Sequence, residues 1–240
     1  MGKNKLFRFS EIQRMPHVIE QTEIELGNVP NPKGGWNEKI FKRDAPIQLE
    51  LACGKGEYSL FFSKYEPNRN YIGIDIKGNR IYIGARSVEE KAIANVAFFR
   101  SYINHIEQFF AKAEVADIWI VFPDPFLGKT KAKKRFTSPI YLKRFQQILQ
   151  KNGAIHLKTD SDILWLYTLA VVKELKLRVL EQVDDVYKDA ADNAVLTNKT
   201  FYEQSHLQKA RTIRYIKFCL PEEPVDASKL VVIAEENYTH

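Results

Sequence analysis

The sequence predicts an α/β fold: a mostly parallel, seven-stranded sheet with helices on both faces and an antiparallel strand at one edge. Three observations predict it. From Ile47 onward, short apolar runs alternate with amphipathic segments of roughly 10–15 residues, the pattern of right-handed crossovers between parallel strands. Two glycines, Gly54 and Gly56, follow the first run directly, where such a sheet turns into its first helix. The last two apolar runs have no evident helix between them, which calls for an antiparallel hairpin at an edge.

Residues 1–46 read as a loop-rich N-terminal arm, because NVPNPKGGW (Asn28 to Trp36) carries two prolines and two glycines. Residues 47–240 read as the domain proper. IQLELAC (Ile47 to Cys53) is a buried strand, GEYSLFFSKY (Gly56 to Tyr65) a helix start and YIGIDI (Tyr71 to Ile76) the second strand. Ile81, Ile83, Ala85, Val88 and Ala92 recur at helical spacing before a third strand, NVAFFR. ADIWIVF (Ala116 to Phe122) is the strongest strand signal. SPIYLKRFQQILQKNG follows as a helix, with Ser138 as capping residue, Pro139 in the first turn and Gly153 at its end. AIHLKTD, SDILWLYTLAVVKEL, LRVLEQV and RTIRYIKFCL then read as strand, helix, strand and strand.

Composition narrows the function classes. Hydrophobic residues make up 45% of the chain and charged residues 28%, so a packed core is expected and disorder is not. A formal charge of +6 favours an acidic partner, nucleic acid above all, the more so because the cations concentrate from Lys129 to Arg135. Cys53 and Cys219 make no zinc-ligand spacing and no disulfide framework, and the five histidines show no metal spacing; no metal and a reducing compartment are expected. The N-terminus lacks the apolar segment of a secretory signal, and no apolar run is long enough for a membrane span, so a cytoplasmic protein is expected.

At the first strand-to-helix turn, LELACGKGEYS lacks both the G-K-[ST] of a triphosphate loop and the spacing of a dinucleotide fingerprint. Asp75 ends the second strand, where a carboxylate reaches the ribose hydroxyls of an adenosine-containing ligand. Glu50 would repel a pyrophosphate and suits a cationic ligand, such as S-adenosylmethionine; it could equally pair with Lys55 or Lys77. At the end of the fourth strand Asp124 sits between Pro123 and Pro125, in a stiff loop at the ligand crevice, where it could also simply cap the following turn.

FPDPFLGKTKAKKRFTS, with the E-x-x-x-G-x-G loop at Glu50, Gly54 and Gly56, Asp75, KTD (Lys158 to Asp160) and TFYE (Thr200 to Glu203), resembles the bacterial tRNA (guanine-N(7)-)-methyltransferases from about residue 47 to 218. The resemblance implies a Rossmann-like class I S-adenosylmethionine-dependent methyltransferase. It implies cofactor contacts at Glu50, Gly54, Gly56, Asp75 and Asp124, and a catalytic role for Asp124 where cofactor and guanine meet. It implies substrate contacts at Asp160, Thr200, Phe201, Tyr202 and Glu203. Departures from the family pattern are Ala52 for a glycine, Phe126 for a tryptophan, Gly128 for a lysine with Lys129 as stand-in, and Ser101 and Tyr102 where an acid often meets the adenine, so that Tyr102 takes that contact.

Lys129, Lys131, Lys133, Lys134 and Arg135 would neutralise phosphates of a tRNA partner, binding with little sequence choice. The expected product is 7-methylguanosine in the variable loop, made by a monomer or homodimer. The alternative is an RNA-binding protein of the same fold without methyl transfer. An aminopropyltransferase fits less well, since a lysine-rich segment would repel polyamines.

Overall fold

The computed structural model describes residues 3–207, 211–229 and 231. Helix α1 (Lys3–Ile12) precedes a three-residue strand, β1 (Val18–Glu20), and a short helix, α2 (Gln21–Glu25). There follow β2 (Ile47–Leu51), α3 (Glu57–Tyr65), β3 (Asn70–Asp75), α4 (Gly78–Glu90), β4 (Val96–Arg100) and β5 (Val115–Val121). The chain continues through α5 (Pro139–Ile148), β6 (Leu149–Thr159), α6 (Asp162–Glu174), β7 (Arg178–Val183), α7 (Val186–Asp189), α8 (Phe201–Leu207) and β8 (Arg214–Cys219).

The strands form one sheet in the order β1-β4-β3-β2-β5-β6-β8-β7, parallel except for β8, which runs antiparallel to both β6 and β7. The seven expected strands are all present. The eighth, β1, pairs parallel with β4 through Val18↔Phe98, Ile19↔Phe99 and Glu20↔Arg100. Strand order reverses between β2 and β5, and the crevice outside their carboxyl ends is where an open α/β sheet receives its ligand.

Each face buries its own core. Leu142, Phe145 and Ile148 of α5 and Leu164, Trp165 and Val171 of α6 pack over Leu49, Ile118 and Ile155. On the opposite face, Tyr58 and Phe62 of α3 and Ile81, Ala85 and Val88 of α4 meet Phe98, Trp119 and Tyr215. Residues before 46 enter both layers: Ile12 and Trp36 are fully buried, and the Trp36 indole donates to the Phe109 carbonyl at 2.9 Å.

Helix α5 ends at Ile148, before the expected Gly153, because the sheet recruits the backbone that follows. Leu149 is extended and pairs with Val115, and the β5–β6 register shifts just beyond it. Pro139 opens α5 as expected, whereas the Ser138 hydroxyl donates to the Lys133 carbonyl (3.2 Å) instead of capping the helix. Between β7 and β8, where no helix was expected, lie α7 and α8. No helix among the described residues is long and apolar enough to cross a membrane.

Candidate active site

The turn after β2 is built from left-handed residues. Ala52, Gly54 and Gly56 have φ of 53°, 58° and 68°. Gly56 answers a second demand, since a Cβ there would collide with the Phe98 ring. Ala52 adopts a conformation that costs an L-residue about 1–2 kcal/mol, where a glycine would be unstrained. Asp75 holds the turn to β3: one carboxylate oxygen accepts the Gly54 amide (2.9 Å) and the other the Lys77 amide (2.8 Å). Its remaining lone pairs are the ones a ribose would use.

Glu50 lies at the base of this turn and is buried. Its Oε2 accepts the Ser59 amide (2.7 Å) and hydroxyl (2.6 Å), tying the strand to the first turn of α3. Neither Lys55 nor Lys77 pairs with it, and among the described residues it has no cationic partner. Burial therefore pushes its carboxyl up to about 7, against the pull of the Ser59 bonds.

Beyond β5 the backbone is strained on either side of the prolines: Phe122 and Phe126 have φ of 47° and 44°. Bulky residues rarely sit there, and such strain concentrates at functional sites. The Phe122 amide is held by the Lys158 carbonyl at 2.9 Å. Asp124 is exposed, with one carboxylate oxygen accepting the Phe126 amide (2.9 Å), so it does cap its own turn. Its second oxygen has no partner among the described residues.

The basic segment divides in two. Lys129, Lys131, Lys133 and Lys134 ring an exposed 3-10 turn about buried Ala132. Arg135, expected among the phosphate contacts, is instead fully buried. Its guanidinium donates to the carbonyls of Pro125 (2.9 Å) and Phe126 (3.1 Å) and lies 4.5 Å from the Tyr167 ring centroid. It fixes the Pro-Asp-Pro loop from beneath.

TFYE turns out to be a capping box, a reading that its T-x-x-E spacing permits. The Glu203 amide donates to Thr200 Oγ1 (3.1 Å) while Glu203 Oε2 accepts the Thr200 amide (3.3 Å). Glu203 is fully buried and also receives Lys158 Nζ (2.7 Å) and the Tyr187 hydroxyl (2.6 Å). Lys158 donates further to the Tyr58 hydroxyl (2.9 Å); burial lowers its ammonium, and the Glu203 charge opposes that. Glu203 and Thr200 thus anchor α8, and the two aromatic residues between them stay exposed. The Phe201 amide donates to Glu57 (3.0 Å), and Lys55 Nζ stands 4.3 Å from its ring. Tyr202 packs against Phe122, and its hydroxyl reaches Asp160 (3.4 Å), which Arg211 also engages (2.9 Å).

Between these elements opens a cleft of about 360 Å³, lined by Glu50, Gly54, Val121, Phe122, Thr200, Phe201 and Tyr202. It lies at the sheet's switch point and within the usual size of small-molecule sites. The lining also takes in Lys55, Glu57, Arg80 and Ser205, which sequence reasoning does not select. Nothing in the spacing of Arg80 announces it, since the sequence of α4 signals only its apolar stripe. Asp75, Asp124, Asp160, Glu203 and the basic turn do not line the cleft. Tyr102 stands apart: its ring is exposed, and its amide donates to Gln21 (3.2 Å). Among the described residues no cluster of histidine, cysteine or carboxylate side chains is arranged to hold a metal.

A doubly wound sheet with a glycine turn and a charged cleft at its switch point is the Rossmann-like architecture of the class I methyltransferases. Solved structures with this architecture include the 16S rRNA methyltransferase KamB (TM-score 0.59, 10% identity, 77% of this chain and 92% of that one) and the 16S rRNA (adenine(1408)-N(1))-methyltransferase from Catenulisporales acidiphilia (TM-score 0.53, 10% identity, 74% and 88%). At such identities the likeness speaks for the fold. A family model described as a putative methyltransferase matches residues 44–215. The chain is 43% identical to the tRNA (guanine-N(7)-)-methyltransferase of Bacteroides fragilis over 93% of its own length and 88% of the relative's, and 45% identical to that of Porphyromonas gingivalis over 88% and 87%. It belongs to the tRNA (guanine-N(7)-)-methyltransferase family.

Proposed function

We propose that this protein moves the methyl group of S-adenosylmethionine onto nitrogen 7 of a guanine in the tRNA variable loop, making 7-methylguanosine. The observation that carries the reading is Glu50, a buried carboxylate facing the cleft with no cation to match it among the described residues. A ligand bearing an ammonium group supplies the missing charge, and a phosphate-bearing one would be repelled. The turn fits the cofactor in other respects: Gly54 brings its backbone to the cleft, and Asp75, bonded to the Gly54 amide, keeps lone pairs for a ribose. When bound, S-adenosylmethionine supplies an electrophilic methyl on a sulfonium.

Nitrogen 7 of guanine carries a lone pair and no proton, so the protein needs no general base for this transfer. Its task is alignment, worth up to about 7–11 kcal/mol in favourable systems. Phe201 and Tyr202 offer exposed rings at the mouth of the cleft on which an extruded base can stack. Arg135 and the two prolines hold Asp124 in place, and its carboxylate stabilises the cationic base that forms. Lys129, Lys131, Lys133 and Lys134 grip the phosphate backbone, and Asp160, bonded to the Tyr202 hydroxyl, joins the substrate contacts. A cytoplasmic location follows from such a substrate, and one or two copies of the chain would serve equally.

The test is incubation with methyl-labelled S-adenosylmethionine and unmodified tRNA, followed by nucleoside mass spectrometry. Labelled 7-methylguanosine is expected. Asp124→Asn, which keeps the acceptor for the Phe126 amide and removes the charge, should lower kcat by about 100-fold with the fold retained. Tight tRNA binding with no methylated nucleoside would leave the RNA-binding alternative standing.

A further inference from the structure

The cleft is charged in two senses. Its buried carboxylate, Glu50, lacks a cation; its exposed guanidinium, Arg80, has no hydrogen-bond or ion-pair partner among the described residues. Arg80 stands in the first turn of α4, and its Cδ would lie 3.9 Å from a Cβ placed on Gly54, so its stem covers the glycine turn. The other cation of the lining, Lys55, is engaged with the Phe201 ring. The two glycine amides of the turn are committed, that of Gly54 to Asp75 and that of Gly56 to the Cys53 carbonyl at 2.8 Å. Among the side chains of the lining, Arg80 is the cation left for an anionic group.

An amino-acid moiety carries one ammonium and one carboxylate on the same carbon. We infer that Arg80 is the receptor for the carboxylate of the cofactor's methionine portion, opposite Glu50, which takes the ammonium. This rests on the methyl-donor reading above. An arginine fork matches a carboxylate in both charge and geometry, and the charge-assisted bonds are the strong ones. Arg80 thereby selects ligands with an intact amino-acid end over amines that share the adenosine and sulfonium.

The test measures binding of two ligands to the full chain by calorimetry without tRNA: S-adenosylmethionine and its decarboxylated form. Arg80→Ala should weaken S-adenosylmethionine by about 10- to 100-fold and leave the decarboxylated ligand unchanged. Arg80→Lys, which keeps the charge and loses the fork, should fall between. Equal affinity of Arg80→Ala and wild type for S-adenosylmethionine overturns the assignment and leaves the cofactor reading intact. Equal weakening of both ligands overturns it too, since the bond removed is then not one to the carboxylate. A raised KM for tRNA with unchanged cofactor affinity would move Arg80 to the RNA backbone. If wild type binds neither ligand, the methyl-donor reading fails, and this inference with it.

Discussion

Glu50 shows how one carboxylate can be costly to the empty fold and necessary to the loaded one. Burial raises it from its ordinary value of 4.5 to about 7, so between those values the folded chain holds a proton that the unfolded chain has released. Stability contributed in this way is full below about 4.5 and is lost as pH rises to about 7, up to about 3 kcal/mol. Urea titrations across that window should show wild type losing stability relative to Glu50→Gln, with the difference flat above it; parallel curves throughout would contradict the assignment. Cofactor affinity should run the other way, rising with pH as Glu50 ionises, because the ligand's ammonium stays protonated over most of this range. The variant should show no such rise. Ala52, two residues on, accepts its left-handed strain for a different reason: the turn must place the Gly54 amide on Asp75.

At the level of elements, α8 owes its position to a buried ion pair at its own cap. Removing Glu203 alone would strand the Lys158 ammonium in a fully buried site, a loss of about 3–5 kcal/mol, whereas Lys158→Met with Glu203→Gln removes both charges and should cost far less. A double-mutant cycle by urea denaturation checks this; simple additivity would show that the pair does not couple α8 to the sheet. The double variant should still lose turnover, since Phe201 and Tyr202 would no longer be held over the cleft. The central strands β2, β3 and β5 were legible in the sequence because their apolar runs are buried on both faces and need no partner to be recognised, whereas β7 is exposed except at Val183. β1 was not, since its three residues are a strand only by pairing with β4. α7 and α8 were missed because each is too short for a periodic stripe and stands on caps, Asp185 in one and the Thr200–Glu203 box in the other. For the same reason two motif residues, Arg135 and Glu203, were found without the contacts they make inside the fold. Spacing reveals that Arg135 and Glu203 belong to the site region, and only packing reveals that both face inward.

Across the whole molecule the sheet divides the labour: its switch point offers the cleft, and the loop leaving β5 carries the cations. The net charge of +6 is modest, so long-range attraction of RNA should depend on where the lysines sit more than on their number. Lys129, Lys133 and Lys134 are exposed on the loop that leaves β5, while Arg135 contributes its charge inside the fold. Their replacements should therefore separate. Alanine at the three lysines should raise the KM for tRNA and flatten its dependence on log salt by roughly one unit for each phosphate no longer neutralised, with cofactor binding unchanged. Alanine at Arg135 should leave the salt slope alone and lower kcat, because it releases the Pro125 and Phe126 carbonyls that fix Asp124. If Arg135→Ala changes the slope as much as a lysine does, the guanidinium reaches phosphate in the complex, and the loop must open when tRNA binds.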